Sequence, residues 1–375
     1  MRTLLAIIRK EIIQMRRDRR MFMMSLLSPV IQLLILGYAA NLDVSSIYLL
    51  VCDQDRTPAS RTLVERFRSS GVFRIVEQVE NAGAIDRYID EGRAGMALVL
   101  PPGFERDLLR HKPAPVQVIA DGSETNAAGI GLGYATQIVS EYSRDLILQT
   151  FARQGRGAAT LATVNPQVRV WYNPTLRSRN YMVPAVLAMV LLMMTMLFTS
   201  LAVVREKEVG TMEQLIVTPI KPWQLILGKL APFAVLSLVE VLLVLLVAVF
   251  WFRVPLKGSV ALLFLLCLVF EIATLGLGLL ISTISRTQQQ ATLTAQFFVM
   301  QPMMQLSGFA FPIENMPRLV QLVTFIMPLR YFMTIIRGLF LKGVGLDVLW
   351  RPALALLVLG LVILSVSISR FRKRL

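Results

Sequence analysis

The sequence predicts a polytopic α-helical membrane protein with an α/β domain inserted between its first and second transmembrane helices. Six apolar segments, each with at most one charge, are long enough to cross a hydrocarbon core of about 30 Å at about 1.5 Å per residue. The composition agrees, since 55% of the 375 residues are hydrophobic, more than in an average soluble domain. Residues 43–178 differ, because there short apolar runs alternate with amphipathic ones.

Residues 1–20 predict an amphipathic helix. Lys10, Arg16 and Arg17 lie mostly on the face opposite the apolar side chains, a pattern typical of a helix in the lipid headgroup layer. The same charges are also explained as a positive flank that determines topology. Residues 21–42 follow as the first transmembrane helix, and Pro29 is expected to kink it.

Residues 43–178 are predicted to form a domain with a core of its own. The predicted strands are 47–52, 73–77, 95–100, 116–120 and 168–172. The predicted helices are 59–68, 84–91, 103–110 and 127–153. This alternation indicates a small α/β domain, and about 135 residues suffice to bury a core.

Residues 179–375 are predicted to carry transmembrane helices two to six. The predicted spans are 181–204, 230–252, 259–284, 291–309 and 352–369. The apolar stretch within 312–342 is interrupted by Pro328, Arg330 and Arg337, so a pair of re-entrant helices is expected there instead of a crossing.

The distribution of lysine and arginine predicts the topology. The net charge is +15, and residues 43–179 are nearly neutral, so the excess flanks the apolar segments. The positive-inside rule then places both termini and the segment 205–229 in the cytoplasm. The inserted domain is expected on the other side, with the re-entrant helices at the outer face.

The cytoplasmic segment 205–222 is predicted to contain a short helix. Gly210 allows the chain to turn, Thr211 and Gln214 form a capping-box pattern, and Pro219 ends the helix. The charged residues around it are Arg205, Glu206, Lys207, Glu208 and Glu213. Such a mixed-charge helix suits docking on a cytoplasmic partner, and it also fits an ordinary capped loop.

Two carboxylates lie inside predicted spans, Glu240 and Glu271. Each is about 16 Å from the inner end of its helix, where a charge costs about 2.5–3.5 kcal/mol. They either line a substrate path or subunit seam, or they are packing residues. Met303 and Met304 could line a path for apolar substrates, although simple packing also explains them.

Several classes of function are disfavoured. The sequence has one histidine, His111, and no GxxxxGK[ST] phosphate loop, so no catalytic, metal or nucleotide site is predicted on this chain. The charge does not concentrate on a soluble face, which argues against nucleic-acid binding. Cys52 and Cys267 lie in different environments, so no disulfide is expected.

Four stretches together resemble the permease subunits of type-2 ABC exporters, a family that includes multidrug, lipid and polysaccharide transporters. The stretches are KEIIQMRRDRR, REKEVGTMEQLIVTPIKPWQLILGK, LSGFAFPIENMP and PLRYFMTIIRGLFLKG. The large inserted domain further resembles the branch that works with periplasmic adaptor proteins.

The resemblance implies a division of labour between chains. Segment 205–222 would be a coupling helix in a groove of a separate ATP-binding cassette subunit, and residues 1–20 would be a connecting helix that also touches it. ATP and magnesium would bind to that subunit only. Two permease subunits, identical or related, would move a drug, lipid or similar amphiphile outward across the bacterial inner membrane.

Two other functions are weighed against this one. A secondary transporter would use Glu240 and Glu271 as a proton relay, but no internal repeat of spans is evident. A membrane-anchored binding or sensor protein would rely on the domain 43–178 alone, but six spans exceed what an anchor needs.

Overall fold

The computed structural model describes residues 2–39, 46–110, 112–153, 171–173, 177–210 and 222–373. The chain forms two compact units. The sheet unit comprises Leu42–Val168, and the helical unit comprises Met1–Asn41 together with Arg169–Leu375. Each unit has a hydrophobic core of its own.

Two helices begin the helical unit, α1 (Arg2–Arg17) and α2 (Arg19–Ala39). They are separated at Asp18, two residues before the predicted boundary. Pro29 lies inside α2. The apolar side of α1 packs against the chain near Gly228, where an added Cβ atom would lie 2.6 Å from Cγ2 of Ile7. The absence of a side chain at Gly228 therefore lets α1 pack closely against the helix that contains it.

A four-stranded sheet forms the centre of the sheet unit. The strands are β1 (Ile47–Asp53), β2 (Phe73–Val79), β3 (Met96–Leu100) and β4 (Gln117–Ala120), in the order β2-β1-β3-β4. The helices around it are α3 (Pro58–Ser69), α4 (Ile85–Asp90), α5 (Phe104–Leu109) and α6 (Thr125–Arg153). β1 is parallel to β2 and β3, and β4 is antiparallel to β3.

The sheet has a core on each face because side chains alternate along a strand. Leu49 and Leu98 pack with α3, α5 and α6 on one face, while Leu50 and Val99 pack with α4 on the other. These four strands and four helices lie where the sequence predicts them, within a few residues. For the predicted fifth strand, residues 168–170 are outside the described part, and Trp171 and Tyr172 are not in a strand.

The rest of the helical unit consists of seven further helices in the described part of the chain. They are α7 (Ser178–Glu208), α8 (Pro222–Leu246, extended by a π-helical turn Val247–Trp251), α9 (Val260–Ile284), α10 (Gln288–Thr294, a π-helical turn Ala295–Met300, and Gln301–Leu306), α11 (Arg318–Thr324), α12 (Pro328–Arg337, extended by a π-helical turn Gly338–Lys342) and α13 (Leu346–Lys373).

Within the described residues, five helices are long and apolar enough to cross a membrane, or six if α11 and α12 count as one broken span. The five are Phe22–Ala39, Ser178–Glu208, Gln224–Trp251, Val260–Ile284 and Leu346–Arg370. α11 and α12 meet at a bend of 84°, in the stretch expected to be re-entrant. The predicted span 291–309 is not among the five, because glutamines reduce the hydropathy of α10. A count of six spans therefore stays a prediction.

Small residues let α9 pack closely between α7 and α13. An added Cβ atom on Gly278 would lie 2.6 Å from the carbonyl oxygen of Met196 in α7. One on Gly276 would lie 3.1 Å from the backbone nitrogen of Leu364 in α13, and Ser367 of α13 donates a hydrogen bond of 2.8 Å to the carbonyl of Gly276. Close backbone approach at small residues is typical of helix packing in membranes.

Candidate functional site

A buried cluster of four charged residues joins α1 to the adjoining ends of α7 and α8. Glu206 of α7 accepts hydrogen bonds from Lys229 of α8 and, at 2.8 Å, from Lys10 of α1. Glu11 of α1 lies 2.8 Å from Lys10 and 3.8 Å from Lys229. We call these four residues the ion cluster. Because its charges balance, three helices are held together without an unpaired buried charge.

Burial distinguishes the ion cluster from ordinary surface ion pairs. Glu206, Lys229 and Glu11 are only 6%, 4% and 8% exposed, whereas Lys10 stands at the edge. The pKa of Lys10 is raised above its ordinary value; burial lowers it, but the hydrogen bonds and charges of Glu11 and Glu206 outweigh that effect. Lys10 therefore stays charged at neutral pH and completes the network.

A second contact fastens α1 to α7 near the break before α2. Arg205 donates to the carboxylate of Asp18 at 2.9 Å. An open groove of about 810 Å³ lies beside this pair. Its charged lining residues are Lys10, Arg17, Asp18, Arg19 and Arg205. Lys10 and Arg205 are already paired with carboxylates, so the excess positive charge of this basic groove comes from Arg17 and Arg19 and suits an acidic partner surface.

The structure corrects part of the interpretation of 205–208 as an exposed docking surface. Glu206 is buried in the ion cluster, where it pairs with Lys229. Lys207 donates to the carbonyl of Ser282, and Glu208 accepts a hydrogen bond of 2.8 Å from the backbone of Gln288. Only Arg205 and Glu208 are exposed among these four residues, so this stretch is largely folded onto its own chain.

The remaining residues of the predicted coupling segment are only partly described. Gly210, with a φ of +77°, ends α7 in the left-handed conformation that favours glycine. Thr211, Glu213, Gln214 and Pro219 lie outside the described residues, as does His111. Arg16 and Arg17 are exposed on α1.

Sequence reasoning missed Glu11, Asp18 and the pairing role of Lys229, although a lysine at the start of an apolar run is a visible signal.

The two carboxylates inside the spans come close to each other. Glu240 of α8 and Glu271 of α9 are 3% and 1% exposed and interact electrostatically. One carboxylate oxygen of Glu240 lacks a hydrogen-bond partner among the described residues, and the hydroxyl of Ser237 in α8 lies next to the carboxylate of Glu271. A cavity of about 10 Å³ beside Glu240, partly lined by Pro29 and Leu187, has room for about one water molecule.

The two methionines singled out from the sequence lie on α10. Met303 is 5% exposed and belongs to the core of the helical unit, while Met304 is 38% exposed. Met303 therefore packs like other core residues in this conformation, and Met304 faces outward.

The chain is similar to transporter proteins along nearly its whole length. Residues 19–368 match the family described as ABC-2 family transporter protein. The probable multidrug ABC transporter permease YbhR of Escherichia coli K12 is 33% identical over 368 residues, which cover 98% of both chains. The probable multidrug ABC transporter permease YbhS of the same strain is 34% identical over 358 residues, covering 94% of this chain and 93% of the other.

A third relative extends the similarity beyond proteins named for multidrug transport. The inner membrane transport permease YhhJ of Escherichia coli K12 is 28% identical over 328 residues, covering 87% of this chain and 85% of the other. All three matches are long enough to include both units.

Proposed function

Because this chain belongs to the ABC-2 family of transporter proteins, we propose that it exports amphiphilic molecules, such as drugs or lipids, from the cytoplasm or the inner leaflet. The chain is a type-2 ABC transporter permease and a multi-pass inner membrane protein. In this proposal a separate ATP-binding cassette subunit binds ATP and magnesium and supplies the energy. The permease subunit then carries out no hydrolysis of its own.

The position of the ion cluster is the observation that carries the proposal. Glu206 lies just before residues 211–221 in the chain, and Lys229 lies just after them. The cluster therefore joins the two helices on either side of the predicted coupling segment, and α1 is attached at the same point. A force on this segment would reach two spans and α1 together, which is what a subunit driven by a separate ATPase requires.

We assign the contact with the ATP-binding subunit to residues 211–221 and to the basic groove. Glu213 and Gln214 would contact the partner, whereas Glu206 and Lys207 would hold the segment in position. The groove beside Arg17 and Arg205 is the adjoining surface of α1 and α7. Its positive charge would attract an acidic face of the ATPase.

The intramembrane carboxylates fit a path or seam that opens during transport. Buried carboxyl oxygens without partners are unfavourable, and Glu240 and Glu271 would gain partners if water or substrate entered between α8 and α9. Met303 and Met304 would line an apolar part of the same path or seam, because thioether side chains adapt to different shapes.

The orientation and further partners complete the proposal. The termini and residues 211–221 are cytoplasmic, and the sheet unit is extracytoplasmic, because basic residues gather at α1, at 205–229 and at the end of α13. A second permease subunit, identical or related, forms the pathway with this one. The sheet unit is the part available to a periplasmic adaptor protein.

Purification of the tagged full chain from its native membranes tests the proposal. Wild-type preparations should contain ATPase activity in a separate polypeptide, and proteoliposomes made from them should transport a fluorescent amphiphilic dye only with ATP. Glu213→Lys should reduce the co-purified activity about tenfold or more, since a reversed charge in a docking surface costs several kcal/mol. The control is Glu124→Lys, an equal charge change at an exposed position of the sheet unit.

Two results would contradict the proposal. One is dye transport that persists in proteoliposomes containing this chain without any ATPase subunit. The other is equal loss of co-purified ATPase activity in Glu213→Lys and Glu124→Lys, which would show that the change of net charge, and not the coupling segment, matters.

A further inference from the structure

A pocket lies where the end of α10, α12 and the start of α13 meet. Its volume is about 480 Å³, within the range of about 300–1,000 Å³ usual for small-ligand sites. Four of its lining residues are basic: Arg330, Arg337, Lys342 and Arg351. Glu314 is the one carboxylate among its described lining residues. We call this cavity the basic pocket, and its charge favours an anion.

The inner part of the basic pocket contains hydrogen-bond donors that have no partner. Nη1 of Arg337 donates to the carbonyl of Gly308 at 3.0 Å. The other two nitrogens of Arg337, Nε and Nη2, are shielded from solvent and have no partner among the described residues. The hydroxyl of Ser307, a residue only 1% exposed, also has no hydrogen-bond partner among the described residues. Buried donors are nearly always paired in proteins, so these unpaired donors in one pocket indicate that a ligand binds there.

Aromatic rings hold the cations of the basic pocket in place without neutralising them. The guanidinium of Arg337 lies 3.8 Å from the ring centre of Tyr181, and the ammonium of Lys342 lies 5.7 Å from that of Tyr172. Within the described part of the chain, neither cation has a carboxylate within the ion-pair distance of 4.0 Å. Glu314 is exposed. The positive charge of the pocket therefore remains available to a ligand.

The geometry points to a binding site for the phosphate group of an amphiphile. The adjacent Nε–H and Nη2–H of Arg337 form the fork that binds two oxygens of a phosphate. Ser307 would donate to a third oxygen, and Lys342 would contribute charge at the exposed edge. Apolar neighbours of the same pocket, Met333 and Leu341, suit an acyl chain. Phosphate could come from a lipid headgroup or from free phosphate, and the experiment distinguishes these sources.

The test measures binding to the purified full chain in a neutral detergent. The probes are dihexanoyl phosphatidic acid, the phosphate-free dihexanoylglycerol, and inorganic phosphate, with affinities from microscale thermophoresis. Phosphatidic acid should bind at least about tenfold more tightly than dihexanoylglycerol, and Arg337→Gln should weaken it about tenfold or more, as expected for the loss of a charge-assisted contact. The matched control is Arg318→Gln, an exposed arginine of α11 outside the pocket.

A second pair of variants covers the case in which Arg337→Gln does not fold. Lys342→Gln changes an exposed side chain and Ser307→Ala removes only a hydroxyl, and each should weaken phosphatidic acid binding more than Arg318→Gln does. Competition by inorganic phosphate would identify free phosphate as a ligand, and its absence would assign the site to lipid headgroups. Equal binding of phosphatidic acid and dihexanoylglycerol overturns the proposal, as does wild-type affinity in all the pocket variants. Neither readout depends on transport.

Discussion

Replacing Glu206 with Gln should destabilise the helical unit through the ion cluster. The substitution removes a buried negative charge that faces both Lys229 and Lys10. Breaking a buried pair by removing one partner typically costs about 3–5 kcal/mol. Glu11 remains 3.8 Å from Lys229, so we expect a loss near the lower end, about 3 kcal/mol of unfolding free energy.

A double-mutant cycle separates the pair from its surroundings. Lys229→Gln alone should cost a similar amount, because Glu206 would then keep only Lys10 as partner. The combination Glu206→Gln with Lys229→Gln leaves no unpaired charge between these two positions. Its cost should therefore fall at least about 2 kcal/mol below the sum of the single changes. The measurement is the unfolding free energy of the purified chain in mixed micelles titrated with sodium dodecyl sulfate, followed by tryptophan fluorescence.

The control breaks a partly exposed ion pair in the same region. Asp18→Asn removes the partner of Arg205, whose side chain is 49% exposed. Exposed pairs contribute about 0.2–1 kcal/mol, so this variant should lose less than about 1 kcal/mol. The reasoning would be refuted if the cost of the double variant equalled the sum of the two single costs to within about 0.5 kcal/mol. Glu206 and Lys229 would then be independent sites and not members of a coupled cluster.

Three further predictions concern other parts of the chain. Gly278→Ala should cost about 1–3 kcal/mol because its methyl group would meet the neighbouring backbone of α7; Gly133→Ala, where an added Cβ has nothing within 4 Å, should not destabilise the chain in the same unfolding assay. Burial tends to raise the pKa of Asp55, but hydrogen bonds from Thr57 and from the amides at the start of α5 lower it overall, below 3.8. Its stabilisation of α5 should therefore be complete above pH 3.8 and be lost as pH falls through the lowered pKa, which hydrogen exchange of α5 at pH 7 and below pH 3 can measure; protection that is unchanged at low pH would contradict this. Glu240→Gln and Glu271→Gln should each keep ATP-dependent dye transport within about threefold of wild type, measured in proteoliposomes without a proton gradient. If an imposed proton gradient drives transport by the wild type and either substitution abolishes that transport, the proton-relay alternative is favoured.

Local sequence patterns predicted the elements of both units. A run of apolar residues indicates a spanning helix without knowledge of its neighbours, and alternation indicates a strand, so β1–β4 and the helices from α7 to α9 lie near their expected positions. α10 is less regular than its apolar run suggests. The π-helical turn Ala295–Met300 depends on how the helix packs, which the pattern of hydropathy does not encode.

The candidate sites were predictable only in outline. The sequence marks Glu240 and Glu271 because a carboxylate in an apolar run is unusual, but their electrostatic interaction depends on how α8 packs against α9. Glu206 looks like one member of a charged surface run. It is buried, and its partner Lys10 lies 196 residues away in the chain. Ser307 and Arg337 give no local sign that they share a pocket.

The sequence by itself predicted a membrane-spanning chain with an inserted α/β unit and a resemblance to transporter permeases, because hydropathy, periodicity and family motifs are properties of contiguous residues. The tertiary structure decided which charges are buried, which are paired and which remain available to a ligand. The physical reason is that the free energy of a charge depends on the atoms around it. In the ion cluster and in the basic pocket, those atoms come from helices that are far apart in the chain.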